Sequence, residues 1–284
     1  MKHFNFAHTY WMKPTLDDRY GYKSPRQIAT HLYCYALSLT YIKKHGYKIN
    51  LYADKNAIEL LKYLPYDNII ELDIPDSANQ KFWAQSKFYS LLKMSLGEIL
   101  IDGDIFIKSK EIIDRIDSNF DVNIQSLETG NMITADSYNR CRNFMKPVDF
   151  GDIFEPQELI PICNSGILQI NNPDLKEEYI NEYFKCMNIM GSYGLLEDMP
   201  NDINPDILLE QLLLNQLCIK RGYKLNTVFE TAEGPYLKIN KDKYMHLISD
   251  KKYIMLPLIK GWLNDLDSEL YTKLLEVEKD ILTL

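Results

Sequence analysis

The sequence predicts an α/β chain: a Rossmann-like mixed, mainly parallel sheet flanked by helices, with a helical elaboration at the C-terminus. Three observations carry that expectation. Short apolar runs alternate with helical stretches of about a dozen residues through the first hundred positions, the pattern of βαβ units with right-handed crossovers. A length of 284 residues with 46% hydrophobic content is enough to bury a substantial core. The last twenty residues carry Leu266, Leu270, Leu274, Val277 and Ile281 at helical spacing.

The elements follow in order. Residues 4–8 form an apolar run, a first strand, followed by a polar loop with a proline. Ser24, Pro25 and Gln27 read as a capping box with proline at the first helical position. The helix they open passes through Ala36, Leu37 and Tyr41 and stops at Gly46, a residue suited to the position after a helix end. Residues 48–53 are a second strand, and Asp54 caps a helix through Leu60 and Leu61 that ends before Pro65. A strand over 69–74, a helix over 82–94 and a buried strand over 98–101 complete the first half.

Beyond it, 122–125 and 166–171 read as strands, separated by a polar stretch with Asn139, Arg140, Arg142 and Asn143. Asn204 and Pro205 open an apolar helix over 207–218 that ends near Gly222, and 223–229 reads as a further strand. The C-terminal helix, 265–284, has Asp265, Asp267, Glu269, Glu276, Glu278 and Asp280 on its polar face against Lys273 and Lys279. Such a face is repelled by an anionic membrane, so it is expected to pack on the domain. The simplest organisation is one domain, 1–262, with 263–284 as the docked helix.

Charge and cysteine usage exclude several classes. Forty acids against 32 bases, a net charge of -8, argue against a nucleic-acid partner, which calls for a basic footprint. The five cysteines are scattered and form no C-x-x-C pair, as expected of reduced thiols in a cytosolic core. No leader pattern and no apolar run long enough to span a bilayer is visible. A cytoplasmic chain, at most peripheral to the inner face of the membrane, is expected.

The chemistry concentrates after the strand at 98–101. Asp102 and Asp104 stand at i and i+2, so in extended chain they project to one side, at the ligand-binding edge of a parallel sheet. Gly103 between them permits a close backbone approach or an unusual φ. Paired carboxylates in that place suit a hard divalent cation, which neutralises a diphosphate.

With the helix that precedes it, carrying Lys87, this D-x-D stretch resembles the nucleotide-sugar-dependent glycosyltransferases of the GT-A fold. Three further stretches resemble the retaining enzymes of glycosyltransferase family 8, with family 32 nearly as similar. They are Cys163-Asn164-Ser165-Gly166 through Asn171, Glu210-Gln211-Leu212 through Asn215, and His246 through Lys252. The stretches fall in the family's order from residue 4 to about 255, with Leu212 in place of an acid and Ser249 in place of a glycine.

The resemblance implies a hexosyltransferase acting from a nucleotide-sugar, a UDP-sugar, on a glycan or lipid-linked acceptor. It implies a Mn²⁺ or Mg²⁺ held by Asp102, Asp104 and His246, with Lys252 and Lys87 near the donor phosphates. Asn164 is placed by the donor sugar and Gln211 by its anomeric carbon, with Asp104 and Gln211 as the catalytic pair. His8, Tyr10 and Asp54, at the ends of the first two strands, are expected to read the base and ribose. Glu197, Asp198, Asp202 and Asp206 make an acidic stretch suited to an acceptor loop. Two rival readings remain: a silent nucleotide-sugar- or carbohydrate-binding module of the same fold, favoured by Leu212, and a nucleotidyltransferase. The latter lacks the glycine-rich loop its triphosphate requires.

Overall fold

The computed structural model describes residues 4–16, 25–152, 154–196, 199–200, 203–229, 232–233, 242–247 and 251–282. The elements, in chain order, are β1 (Asn5–Tyr10), α1 (Lys13–Leu16), α2 (Pro25–Lys44), β2 (Lys48–Ala53), α3 (Lys55–Leu61), β3 (Asn68–Glu71) and α4 (Gln85–Lys93). There follow β4 (Ile99–Ile101), β5 (Ile105–Ile107), α5 (Lys110–Asp114), β6 (Val122–Thr129), α6 (Asp136–Met145), β7 (Ile162–Ile170) and α7 (Pro173–Ser192). After a π-helical turn, Ile207–Leu212, come α8 (Leu213–Arg221), β8 (Leu225–Thr227), β9 (Ala232–Glu233), β10 (Tyr244–His246), α9 (Lys251–Leu266) and α10 (Ser268–Leu282). Helices alternate with mostly parallel strands, so the class is α/β.

The chain divides into two compact units: residues 1–74, 98–114 and 240–284, and residues 75–97 and 115–239. In the first, β3, β2, β1 and β4 pair in that order and all in parallel. The strands sit together because their apolar residues leave water on both faces, as a parallel sheet requires: Phe6, Ala7, Ile49, Leu51 and Ile99–Ile101 are fully buried. β5 turns back from the D-x-D segment and pairs antiparallel with β10. The helix α2 packs on α9 and α10, and Tyr33 in α2 donates to Glu278, which also takes Lys260.

In the second unit, β6 pairs antiparallel with β7 and parallel with β8 and β9. Every residue of β7 is buried, polar ones included, so each needs an internal partner. Gln169 meets Asn123 and the Gly97 carbonyl for that reason. In α4, Phe88 stacks on Tyr183 of α7 at 3.5 Å between ring centroids, a dry seam that fixes the two helices.

Several elements match the sequence-based expectation closely. β2 has the expected bounds, Asp54 caps α3 by accepting from the Ala57 N–H, and Gly222 closes α8 in the left-handed conformation. Others differ. α6 occupies what read as a polar stretch: Tyr138, Cys141, Arg142 and Met145 form its buried face, and an arginine among them hides the apolar period. α7 and α9 have no counterpart in the expectation. The final helix is split, because Asp267 accepts from the Leu270 N–H and starts α10 after α9 has ended at Leu266. The expected division at 262/263 therefore falls inside α9. The helix expected over 207–218 is wound wider through Ile207–Leu212. Ser24 of the capping box lies outside the described residues.

All five cysteines are buried free thiols. Among the described residues no helix is long and apolar enough to cross a membrane.

Candidate functional site

β4 delivers the chain from a water-free strand directly into Asp102, Gly103 and Asp104. The Ile105 N–H donates to the Asp102 carbonyl at 3.0 Å, which turns the backbone into β5. Because β10 pairs with β5 so that His246 stands opposite Ile105, its imidazole comes beside Asp104, and the Leu247 N–H donates to the Asp104 carbonyl. The first residues of α9 supply Lys252. Its Nζ lies 3.1 Å from Asp104 Oδ2, while His246 Nε2 lies 3.5 Å from Asp104 Oδ1.

Those charges reshape the carboxylate. Burial alone would raise the Asp104 pKa, but the Lys252 ammonium and then His246 outweigh it and hold Asp104 well below the usual carboxylate range. Lys252 is the mirror case: burial disfavours its charge, yet Asp104 keeps its pKa raised. Both stay ionised at neutral pH.

Gly103 has a specific reason to be glycine. A Cβ there would lie 2.4 Å from Cε2 and Cζ of Tyr35, inside the ring's van der Waals surface. The Tyr35 hydroxyl donates to the Thr9 carbonyl at 2.6 Å, and its ring meets His8 edge-on. One aromatic from α2 thus clamps the end of β1 and the D-x-D turn together.

The residues present fit a divalent cation. Asp102, Asp104 and His246 each offer one ligand atom, all within 4.8 Å of one another. His246 Nδ1 is buried with no hydrogen-bond partner among the described residues. Two carboxylate oxygens with one imidazole nitrogen form a mixed hard and intermediate donor set, suited to Mn²⁺ and Mg²⁺.

The remaining expected residues of this unit occupy other roles. His8 is fully buried, with Nδ1 at 2.8 Å from the Tyr66 hydroxyl and Nε2 at 3.0 Å from Ser38 Oγ. Both nitrogens are engaged, so it serves the core rather than a base, and burial lowers its pKa to about 3. Tyr10 is buried too and stacks on His31 at 5.5 Å. Asp54 Oδ1 accepts the Met12 and Ala57 N–H groups, holding the loop after β1 to the start of α3. Of the H-x-x-S-x-x-K stretch, Ser249 lies outside the described residues.

Lys87, Asn164 and Gln211 belong to the other unit, in a buried polar group. Lys87 Nζ is 2.7 Å from Glu210 Oε1, which also accepts from Ser165 Oγ. Tyr179 donates to the Glu210 carbonyl, within the π-helical turn. Asn164 Nδ2 donates to Glu128 Oε1 at 3.0 Å, and Tyr138 donates to Glu128 Oε2 at 2.6 Å. The same hydroxyl lies 3.1 Å from the Gln211 amide, so Glu128, Tyr138 and Gln211 form one chain of contacts. Leu212 points into the core, fully buried, where an acid would have no partner. Asp206 is likewise buried, taking the Ala84 N–H and the Tyr183 hydroxyl, and is a structural acid rather than part of an acceptor loop. Glu197, Asp198 and Asp202 lie outside the described residues.

A family model described as "Family of unknown function (DUF6734)" matches residues 4–277. The chain belongs to that family. No curated protein matches it. Among solved structures the DUF6734 chain is similar to the galactosyltransferase LgtC in complex with donor and acceptor sugar analogues, at 10% identity and a TM-score of 0.42, over 93% of this chain and 96% of that one. It is similar to mouse xyloside xylosyltransferase 1 at 12% identity and a TM-score of 0.37, over 80% and 86%. The inositol-1-phosphate CTP transferase from T. maritima matches at 10% identity and a TM-score of 0.41, over 91% and 96%.

Sequence reasoning on this DUF6734 chain did not single out Tyr35, Glu128, Tyr138 or the pairing of Glu210 with Lys87. Tyr35 had an indirect signal, since a glycine between two acids implies that something approaches closely. The other three depend on side-chain contacts, with Gln211, with Asn164 and between Lys87 and Glu210, that leave no local spacing to read.

Proposed function

We propose that this chain is a metal-dependent glycosyltransferase that moves a hexose from a UDP-sugar to a glycan or lipid-linked acceptor with retention. The observation that carries the reading is the convergence of Asp102, Asp104 and His246 at the end of β4, with Lys252 on the same carboxylate. Two acids in a turn need no histidine and no half-buried lysine around them. A diphosphate-binding metal site does.

Asp102, Asp104 and His246 would hold the cation. Bound there, a Mn²⁺ or Mg²⁺ supplies Lewis-acid neutralisation of the departing nucleoside diphosphate. Lys252 supplies a preorganised positive charge, kept protonated by Asp104, for the oxygens on which charge develops. Tyr35 and Gly103 fix the turn that aims both acids. In the second unit, Tyr138 restrains the Gln211 amide, a group able to stabilise positive charge at an anomeric carbon but poorly nucleophilic. Asn164, held by Glu128, is assigned to sugar hydroxyls.

Thermal melts with UDP-, GDP- and CDP-sugars, with and without Mn²⁺, test the reading directly. A UDP-sugar is expected to raise the melting temperature only when Mn²⁺ is present, and Asp104→Asn to abolish that shift together with donor hydrolysis. Sugar NMR of the product reports whether the anomeric configuration is retained. If no nucleotide-sugar shifts the melt in either condition, the reading fails. Binding of a UDP-sugar without turnover by the unmodified chain would instead identify a silent module.

A further inference from the structure

Among the described residues, one buried charge has no counter-ion. Arg142, on the inner face of α6, is 3% exposed, yet no carboxylate lies within ion-pair distance of it among the described residues. Its Nη1 donates to the Ile133 carbonyl at 2.5 Å and lies 3.5 Å from Asn139 Oδ1. Nε and Nη2 are closed to solvent and meet no acceptor among the described residues. Burial accordingly lowers its pKa, an effect that Tyr138 and Cys141 offset only in part.

The unpartnered edge has the shape that matters. Nε and Nη2 form the side of a guanidinium that grips a carboxylate or phosphate through two parallel hydrogen bonds. An arginine kept only to tie α6 to the 133 carbonyl would need one donor, and the helix end is already held by Gln157, which donates to the Arg142 carbonyl at 2.7 Å. A glutamine or methionine would fill the space without an uncompensated charge, and such charges are strongly unfavourable. The guanidinium carbon stands 6.0 Å from the ring centre of Tyr138, whose hydroxyl end reaches Glu128 and Gln211. A single side chain therefore spans from the fork to the amide assigned to the sugar.

We infer that the Nε–Nη2 edge of Arg142 is an oxyanion site, and that the acceptor carries the carboxylate or phosphate that occupies it. The acceptor clause rests on the glycosyl-transfer reading; the oxyanion site rests on α6 alone. Because both nitrogens are closed to solvent, an arriving anion must part the side chains that cover them, so binding orders the site as it forms.

The test uses the full chain in EDTA, without nucleotide, so that donor and metal binding play no part. Inorganic phosphate, methyl glucuronide and, as the neutral control, methyl glucoside are added at matched ionic strength. Phosphate or glucuronide is expected to raise the melting temperature by about 3 °C at saturation, and the glucoside not at all. Arg142→Met should lose the shift while melting, without ligand, at or above the unmodified chain. Arg140→Met, which removes an exposed arginine paired with Asp136 on the same helix, should keep the shift. A response to phosphate alone identifies a phosphorylated acceptor, and a response to glucuronide alone an acidic sugar. Equal shifts in the unmodified chain and Arg142→Met would overturn the site, as would no shift in the unmodified chain. If Arg142→Met fails to fold, Arg142→Lys keeps the charge without the planar fork; it should fold and bind the anion at least about ten-fold more weakly. Unweakened binding by that variant would also overturn the site.

Discussion

Both units bury a lysine against a carboxylate, and the two pairs differ in how much else they can do. The side chains of Lys87 and Glu210 are 4% and 1% exposed, locked by Ser165 on the same oxygen and by Tyr179 on the Glu210 backbone. Those of Lys252 and Asp104 are 16% and 15% exposed, stand at a strand end and share the carboxylate with an imidazole. A dry pair with its geometry over-determined holds segments in register. A partly wet pair beside two further ligand groups keeps its charge available to something that arrives from solvent.

Breaking each pair separates the two roles. Lys87→Met leaves Glu210 as an uncompensated buried anion, and should cost about 3–5 kcal/mol in urea unfolding. Adding Glu210→Leu should return most of that loss, since an apolar pair of similar volume replaces the ions. An unchanged unfolding midpoint for Lys87→Met would show that the dry pair does not hold the fold. Lys252→Met should unfold closer to the unmodified chain but slow UDP-sugar turnover about 100-fold, the scale of one lost charge-stabilising donor. Comparable stability losses in both variants would erase the distinction.

The third prediction concerns the turn that carries the wetter pair. Gly103→Ala should cost about 1–3 kcal/mol by forcing a methyl group into the Tyr35 ring. Mn²⁺ affinity, read by electron paramagnetic resonance, should fall with it. Tyr35→Ala in the same chain should restore part of that affinity, whereas Tyr35→Phe should not.

The smallest effect is a pH dependence. His8 is held neutral by burial with a pKa of about 3, against 6.5 for an ordinary histidine, so the unfolded chain takes up a proton that the folded chain refuses. Its contribution to stability is complete above about pH 6.5 and is lost as the pH falls toward 3. Melts recorded across that window should flatten in His8→Gln, and an unchanged slope would mean that other groups dominate.

The first hundred residues were legible because their signals are local. The apolar runs of β1, β2 and β4, the cap at Asp54 and the paired acids at 102 and 104 each occupy a few adjacent positions. The second unit hides its logic in long-range pairs. Lys87 looks like any helix-surface lysine until Glu210 is brought to it, and Tyr138 lies in a stretch whose polar composition masked α6. His8 shows the opposite failure: a residue at the correct end of a correct strand, directed by Ser38 and Tyr66 into the core.

The fit of the Tyr35 ring over Gly103 also constrains how this sequence can drift. Position 103 can accept a side chain only after position 35 has given up its ring, so the two sites should change together in relatives. A lineage that kept the tyrosine would be held to glycine there for as long as it kept both acids. Residue 35, far from the motif in the chain, would then be as diagnostic of an intact metal turn as the acids themselves.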